Sequence, residues 1–210
     1  DLILDLQDNG GGMLSAAIDM CDEFLNGDKL VVFTQGRSFP KEEYKARPKV
    51  KGNFEEGRLV VLIDESSASA SEIVSGAIQD WDRGVIVGRR SFGKGLVQRP
   101  IPLPDGSAVR LTVQKYYTPA GRCIQKPYEK GLEDYEQDYL RRLKSGEFFH
   151  ADSIKFSEND KFATRLTKRT VYGGGGIMPD VFVPMDTSDN SKYFTEILRV
   201  GITNDWTMVY

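Results

Sequence analysis

Small polar residues fill the segment Ser66–Ser71, which lies between a predicted buried strand and a predicted helix. The first N–H groups of a helix have no intrahelical acceptor, and the helix dipole favours negative charge there. A serine hydroxyl at this junction could attack a carbonyl carbon, and the next N–H could stabilise the resulting oxyanion. Serine is also a common N-cap residue, so a purely structural role for these serines stays open at this point.

Lys94 is the second candidate, because it stands between two glycines just after a predicted core strand. A lysine that packs against another backbone segment needs such flanks, whereas a solvated lysine does not. Burial disfavours the ammonium ion, so an enclosed lysine can accept a proton from a serine. An extended chain would put Lys94, Leu96 and Gln98 on one side. Gln98 could then bind the amine, or it could be an ordinary polar residue of an exposed strand.

Two glycine-rich segments offer further chemistry. Gly10–Gly12 follows a predicted strand and opens a predicted helix, so its N–H groups could line an anion site or simply form a tight turn. Gly88–Lys94 fits the phosphate-binding pattern G-x-x-x-x-G-K, but Gly95 stands where a serine or threonine must bind magnesium. Pro100 also excludes the helix that has to follow such a loop. These departures argue against nucleotide binding.

The histidine and cysteine content limits the other reaction types. His150 is the only histidine, and it lies in a charged stretch that is typical of a protein surface. Cys21 and Cys123 are too few for a disulfide scaffold or a structural zinc cage, and we interpret them as small buried thiols, with a single bridge left open. We expect no metal ion and no cofactor.

The elements that must position these candidates alternate between strands and helices. Apolar patterns predict helices at 13–25 and 71–83, and strands at 2–6, 30–33, 58–64 and 85–87. This order is typical of an α/β core with a parallel component. Residues 34–57 are interpreted as a hairpin or flap, and further strands are predicted at 96–103, 108–113, 115–117 and 181–183, with a hairpin turn at Asp105-Gly106.

Two regions depart from this core pattern. Residues 126–170 are charged and poor in large aliphatic residues, and they predict an inserted helical lobe with a helix near 134–144. A final amphipathic helix is predicted at 192–200. The chain also begins inside a predicted strand, which indicates a piece of a longer protein.

The composition is that of a globular chain: 210 residues, 40% hydrophobic and 28% charged, with a net charge of −3. So much apolar material can form a core. The nearly balanced charge argues against wholesale binding to nucleic acid or to an anionic membrane.

Five motifs occur in an order that identifies a family: Asp5–Gly12, Ser67–Ile73, Ile86–Gly88 together with Ser91–Gly95 and Val97–Gln98, Tyr117–Arg122 and Gly176–Asp180. With them the chain resembles the catalytic domain of the C-terminal processing peptidases, also called tail-specific proteases. These are serine endopeptidases whose core is related to the crotonase and Clp protease folds. The resemblance implies an α/β fold with a mixed sheet, flanking helices, a smaller β region and a helical insertion.

The resemblance also implies a Ser-Lys dyad. Motif for motif, Ser69 is the nucleophile, Lys94 is the general base and Gln98 orients the lysine. The oxyanion hole would combine the N–H of Ala70 with that of a glycine in the first loop, for which Gly11 is chosen over its two neighbours. No histidine, metal or cofactor is required.

Further expectations concern the whole protein. We expect a catalytic core at 1–184 that is truncated at its N-terminus, a C-terminal helix and tail at 185–210, and a PDZ domain upstream. The substrates would be proteins or peptides with accessible C-terminal tails, and not nucleic acids. The compartment would be the bacterial periplasm or cell envelope, with membrane association through segments outside the chain and homo-oligomerisation both left open. The alternative is a catalytically silent module of the same fold that binds peptide tails or assembles a complex.

Overall fold

The computed structural model describes residues 1–48, 51–128, 131–155 and 157–188. The helix predicted at 192–200 lies outside these residues. The described strands are β1 (Leu2–Asp5), β2 (Leu30–Gln35), β3 (Glu42–Lys45), β4 (Leu59–Ile63), β5 (Val85–Gly88), β6 (Leu96–Pro102), β7 (Ala108–Tyr117), β8 (Lys161–Ala163), β9 (Thr170–Tyr172) and β10 (Val181–Phe182). The helices are α1 (Leu14–Asp22), α2 (Ala70–Asp80), α3 (Leu132–Glu136) and α4 (Asp138–Lys144), with 3₁₀ turns at Ala151–Ser153 and Glu158–Asp160.

A parallel sheet with the strand order β1-β4-β5-β10 forms the centre of the fold. Leu59, Val61 and Ile63 of β4 are buried, as the continuous apolar run predicts for a strand covered on both sides. Apolar residues of α1 and α2 join these strands in one core cluster. The α/β core with a parallel component that the alternating pattern predicts is therefore confirmed.

A second sheet, antiparallel and with the order β3-β2-β7-β6, forms the smaller β region. The predicted hairpin turn is present, with Gly106 in the left-handed region at φ 85°. Strand β7 is continuous, whereas the sequence predicts two strands that meet at Gln114. The interruption is absent because the Gln114 side chain is buried and its amide donates to Thr34 Oγ1 at 3.0 Å. A satisfied polar group does not end a strand.

The charged region that starts at residue 126 is packed onto the core rather than extended from it. The helix predicted near 134–144 is present as two short helices, α3 and α4, which meet at Gln137. Phe148 is fully buried and Arg142 is 4% exposed. The region's buried residues include one aromatic ring and an ion-paired arginine, so the region packs against the core with few aliphatic residues.

The fold brings three connecting segments to one edge of the parallel sheet. The carboxyl ends of β1, β4 and β5 lie side by side, so the segments that follow them also lie side by side. These segments are Gly10–Gly12, Ser66–Ser71 and the loop 89–95. Within the described residues, no helix is both long and apolar enough to cross a bilayer.

Candidate active site

Ser69 lies in a strained turn at the start of α2. It is the N-cap residue of this helix, with φ 57° and ψ −112°. A residue with a side chain rarely adopts a positive φ, and such a conformation costs about 1–3 kcal/mol unless its surroundings fix it. The surroundings do so here: Ser69 N–H donates to Glu72 Oε2 at 2.8 Å, and Ser67 O accepts from Phe92 N–H at 2.9 Å.

The Glu72 carboxylate lies at the centre of the site and is fully buried. Oε2 accepts hydrogen bonds from the N–H groups of Ser69 and Lys94, each at 2.8 Å. Oε1 accepts from Ser91 Oγ at 2.6 Å and from Gly93 N–H at 2.7 Å. Burial raises the pKa of the Glu72 carboxyl, although the four hydrogen bonds act in the opposite direction. Glu72 therefore connects the backbones of the two dyad candidates.

Sequence reasoning assigned no role to Glu72, although a signal was present. A serine followed three residues later by glutamate is the spacing of a capping box, in which the glutamate accepts from the N-cap N–H. That spacing accounts for the Ser69 contact. It does not predict the contacts with the loop 89–95, which come from residues 19 to 22 positions away.

The first glycine loop contacts the serine loop closely at Gly11. Its φ is +94°, and a Cβ atom there would lie 2.5 Å from Ala68 O and 2.7 Å from Ala70 N. Gly10 and Gly12 have no neighbour within 4 Å of such an atom. Gly11 is thus the glycine that lies against Ala70.

Asn9 fixes the distance between these two loops. Its carbonyl accepts from Ala68 N–H at 3.0 Å, and its side-chain Oδ1 accepts from Ser71 Oγ at 2.9 Å. The same Oδ1 accepts from Gly11 N–H at 2.9 Å. A substrate oxyanion would have to share or replace this last hydrogen bond. Ala70 is the first residue of α2, where N–H groups lack intrahelical acceptors.

Both glycines beside Lys94 pack against other backbone segments. A Cβ atom would lie 3.1 Å from Gly176 N at Gly93 and 2.5 Å from Gln125 N at Gly95. The close packing that the glycine flanks predict is therefore present. Lys94 itself is half-buried rather than enclosed. Among the described residues, no hydrogen bond joins its amine to the hydroxyl of Ser69 or to the side chain of Gln98.

Lys94, Leu96 and Gln98 line one side of a cleft with a volume of about 910 Å³, as the extended-chain argument predicts. Gln98 is exposed, and a register shift in β6 lies just before it. A smaller pocket of about 130 Å³ is lined by Gly11 and Ala70 together with apolar residues of α1. Ser69 directly precedes Ala70 of the smaller pocket, and its N–H shares the acceptor Glu72 Oε2 with the N–H of Lys94 from the larger cleft.

The charged region contacts the loop 89–95 from another direction. Glu147 accepts from Arg90 in a bidentate pair, with both distances 2.7 Å, and from Arg142 Nε at 2.7 Å. Arg142 also donates to the carbonyls of Ser91, at 3.1 Å, and Arg90, at 2.6 Å. Burial acts to raise the pKa of the Glu147 carboxyl, but the two arginines outweigh it and lower that pKa. The region 126–170, which the sequence left without a role, stabilises the Lys94 loop.

The remaining candidates from the sequence are His150 and the two cysteines. His150 is exposed. Cys21 and Cys123 are free thiols, so the bridge left open by the sequence is not formed. Cys21 is fully buried, and burial raises the pKa of its thiol; Cys123 is half-buried and lines the cleft. In the part of the chain that the structure describes, no cluster of three or more acidic, cysteine or histidine residues could hold a metal ion.

Comparison with known proteins identifies the class of protein to which this chain belongs. The family model of peptidase family S41 matches residues 1–134, and the chain belongs to this family. It is 47% identical over 123 residues to the carboxy-terminal-processing protease of Bartonella bacilliformis, a match that covers 59% of this chain and 28% of that protein. It is 42% identical over 124 residues to the carboxyl-terminal-processing protease of a Picosynechococcus species, covering 59% and 29%.

The structural comparison agrees with the family assignment. The photosystem II D1 C-terminal processing protease aligns with a TM-score of 0.60 and 28% identity, and the match covers 87% of this chain and 34% of that protein. The S41 peptidase fold and the family resemblance read from the sequence are thereby confirmed. The matches cover less than a third of the length of the two curated relatives.

Proposed function

We propose that this chain supplies the catalytic core of a serine endopeptidase that cleaves proteins in or near their C-terminal regions. One observation carries the proposal: the backbones of Ser69 and Lys94 meet at one oxygen of Glu72, beside a cleft lined by Lys94 and Gln98. The family and the names of the relatives support the same reaction and the same substrate class.

The proposed reaction runs through an acyl-enzyme. Lys94, as the free amine, takes the proton of the Ser69 hydroxyl while Oγ attacks the scissile carbonyl carbon. The N–H groups of Ala70 and Gly11 stabilise the oxyanion. The lysine ammonium then protonates the departing amine, and the C–N bond breaks. In the second half Lys94 deprotonates a water molecule, which releases the acyl group from Ser69. Gln98 orients the lysine amine.

Two local changes must accompany substrate binding in this mechanism. The Lys94 amine has to form a hydrogen bond with the Ser69 hydroxyl, and the Gly11 N–H has to turn from Asn9 Oδ1 to the substrate. Catalytic hydrogen bonds are often long or misaligned without substrate and tighten in the complex. A silent peptide-binding module would also lack a hydrogen bond between Lys94 and Ser69 and would keep the Gly11 N–H on Asn9 Oδ1. Such a module is therefore the alternative function.

Chemical capture of the nucleophile distinguishes the two functions. The intact protein is incubated with a fluorescent fluorophosphonate, the adduct is mapped by mass spectrometry, and cuts in an unfolded casein substrate are mapped in parallel. We expect an adduct on Ser69 and loss of both signals in Ser69→Ala. Ser66→Ala is the matched control, because Ser66 is an exposed serine of the same loop, and it should keep both. Binding of casein without labelling or cutting would favour the silent module.

The setting of this activity is also a proposal. A PDZ domain upstream would bind the substrate's C-terminus by adding it as a strand to a sheet edge. A location in the bacterial periplasm or cell envelope would suit such substrates. Fractionation of cells that produce the intact protein tests the location, and recovery of the protein with the cytoplasmic fraction would contradict it.

A further inference from the structure

Glu72 is a buried carboxylate to which the proposed mechanism assigns no chemistry. Its exposed fraction is 0%, and within the described chain no lysine or arginine forms an ion pair with it. Burying a charged carboxylate is costly unless hydrogen bonds replace the lost water. Glu72 has four such bonds, of 2.6 to 2.8 Å. A leucine in this space would leave all four donors without an acceptor, so the carboxylate is required by hydrogen bonding and not by packing.

The donors come from the two segments that carry the proposed dyad. One of them is the N–H of Ser69, and the other three belong to Ser91, Gly93 and Lys94. Three of the four donors are backbone N–H groups, which cannot turn into acceptors. An amide side chain would place an NH₂ group against two of these donors, so only a carboxylate matches the whole set.

We propose that Glu72 is a positioning residue that sets the distance between the nucleophile and the general base, an inference that rests on the proposed function. Oε2 is the single atom shared by the N–H groups of Ser69 and Lys94, at 2.8 Å from each. Because Ser69 has a strained φ and Lys94 follows a glycine at φ +89°, neither backbone position is fixed by its own preference.

Ser91 extends this arrangement to a third segment. Its hydroxyl donates to Glu72 Oε1 and accepts from Ile177 N–H at 2.6 Å. A Cβ atom on Gly176 would lie 2.6 Å from Ser91 O, so the glycine permits the close approach. The orientation of the Glu72 carboxylate is therefore fixed by Ser91 as well as by the dyad segments.

The test separates kcat from KM in Glu72→Gln, with a fluorogenic peptide taken from a mapped casein cut. A misplacement of about 1 Å in the reacting groups costs about 100-fold in rate. We expect kcat to fall about 100-fold while KM changes less than about threefold, because the substrate-binding surfaces are untouched. The rate of fluorophosphonate labelling of Ser69 should fall with kcat. Unfolding in urea is measured alongside, so that activity is compared at equal folded fraction.

Asp22→Asn is the matched control. Asp22 is a buried carboxylate that accepts a backbone N–H, from Arg47 at 2.5 Å, and it lies at the end of α1. It should lose stability and keep kcat. Should Glu72→Gln prevent folding, Ser91→Ala decides instead, and there we expect kcat to fall about tenfold, the effect of one ordinary hydrogen bond.

The outcomes separate this inference from the proposed function. Wild-type labelling at Ser69, combined with an unchanged kcat in Glu72→Gln, would overturn the positioning role and leave the peptidase intact. Absence of labelling and cutting in the wild type would overturn the peptidase and the positioning role together. A fall in kcat with little change in KM in Glu72→Gln, together with an unchanged kcat in Asp22→Asn, supports the inference.

Discussion

Two buried glutamates contact the loop that carries Lys94, and they do so with different chemistry. Glu72 accepts from three backbone N–H groups and one hydroxyl, all of them neutral. Glu147 accepts from the guanidinium groups of Arg90 and Arg142. The pKa of the carboxyl is accordingly raised at Glu72, where burial dominates, and lowered at Glu147, where the arginine charges dominate.

The comparison assigns different tasks to the two sides of the loop. An ion pair tolerates several geometries. Its loss is costly mainly because removing one partner leaves the other charge buried and unpaired. Backbone N–H groups that converge on one oxygen accept only a narrow geometry. The Glu147 side therefore attaches the charged region to the core, whereas the Glu72 side sets atomic positions.

The largest effect on stability is expected for Glu147→Gln. The change leaves the buried Arg142 and the half-buried Arg90 without their counter-ion, and breaking a buried ion pair costs about 3–5 kcal/mol. Urea unfolding at pH 7 measures the loss. A change in the free energy of unfolding below about 1 kcal/mol would contradict the claim that the Glu147 ion pairs attach the charged region to the core.

A smaller loss of stability is expected for Glu72→Gln. The amide keeps one acceptor oxygen but places an NH₂ group against two of the four donors, so the free energy of unfolding should fall by about 1–3 kcal/mol at pH 7. Differential scanning calorimetry provides the measurement. A loss larger than that in Glu147→Gln would contradict the division of tasks between the two residues.

The pH dependence of these losses should have opposite signs. The raised pKa of Glu72 means that its contribution is full below the ordinary value near 4.5 and declines as the pH rises through the folded value. The lowered pKa of Glu147 means that its contribution is full above that value and declines as the pH falls through the folded one. Unfolding free energies of each variant against wild type, from pH 3 to 8, test this. Parallel slopes would refute it.

The smallest effect is expected for Arg90→Lys. The charge is kept, but the bidentate pair with Glu147 becomes a single hydrogen bond. We expect a loss of about 1 kcal/mol in urea unfolding, with kcat unchanged. A loss as large as that of Glu147→Gln would mean that the geometry of the pair, and not its charge, determines how much the Glu147 side contributes to stability.

The sequence predicts most of the fold because local patterns determine it. The apolar run 59–63 predicts a strand buried on both sides, and the alternation of strands and helices predicts a parallel sheet; both are present. The division of β7 at Gln114 is wrong, because the partner of that amide, Thr34, lies 80 residues away. The break between α3 and α4 was not predicted, since no glycine or proline marks it.

The candidate site was predictable in its residue types but not in its connections. Motif order leads to Ser69 and Lys94, and the glycine flanks predict the close packing beside Lys94. The donors to Glu72 from the loop 89–95, the contact of Gly11 with Ala70 and the carbonyl contacts of Arg142 join distant segments, and no local pattern contains them. The assignments of nucleophile, base and orienting glutamine stay predictions.

Labelling of Ser69 by a fluorophosphonate in Lys94→Ala tests the dyad most directly. The exposed Lys144→Ala at the end of α4 is the control. If Lys94 removes the serine proton, the labelling rate should fall at least about 100-fold in Lys94→Ala and stay at the wild-type level in Lys144→Ala. Equal labelling rates in the two variants would contradict the account.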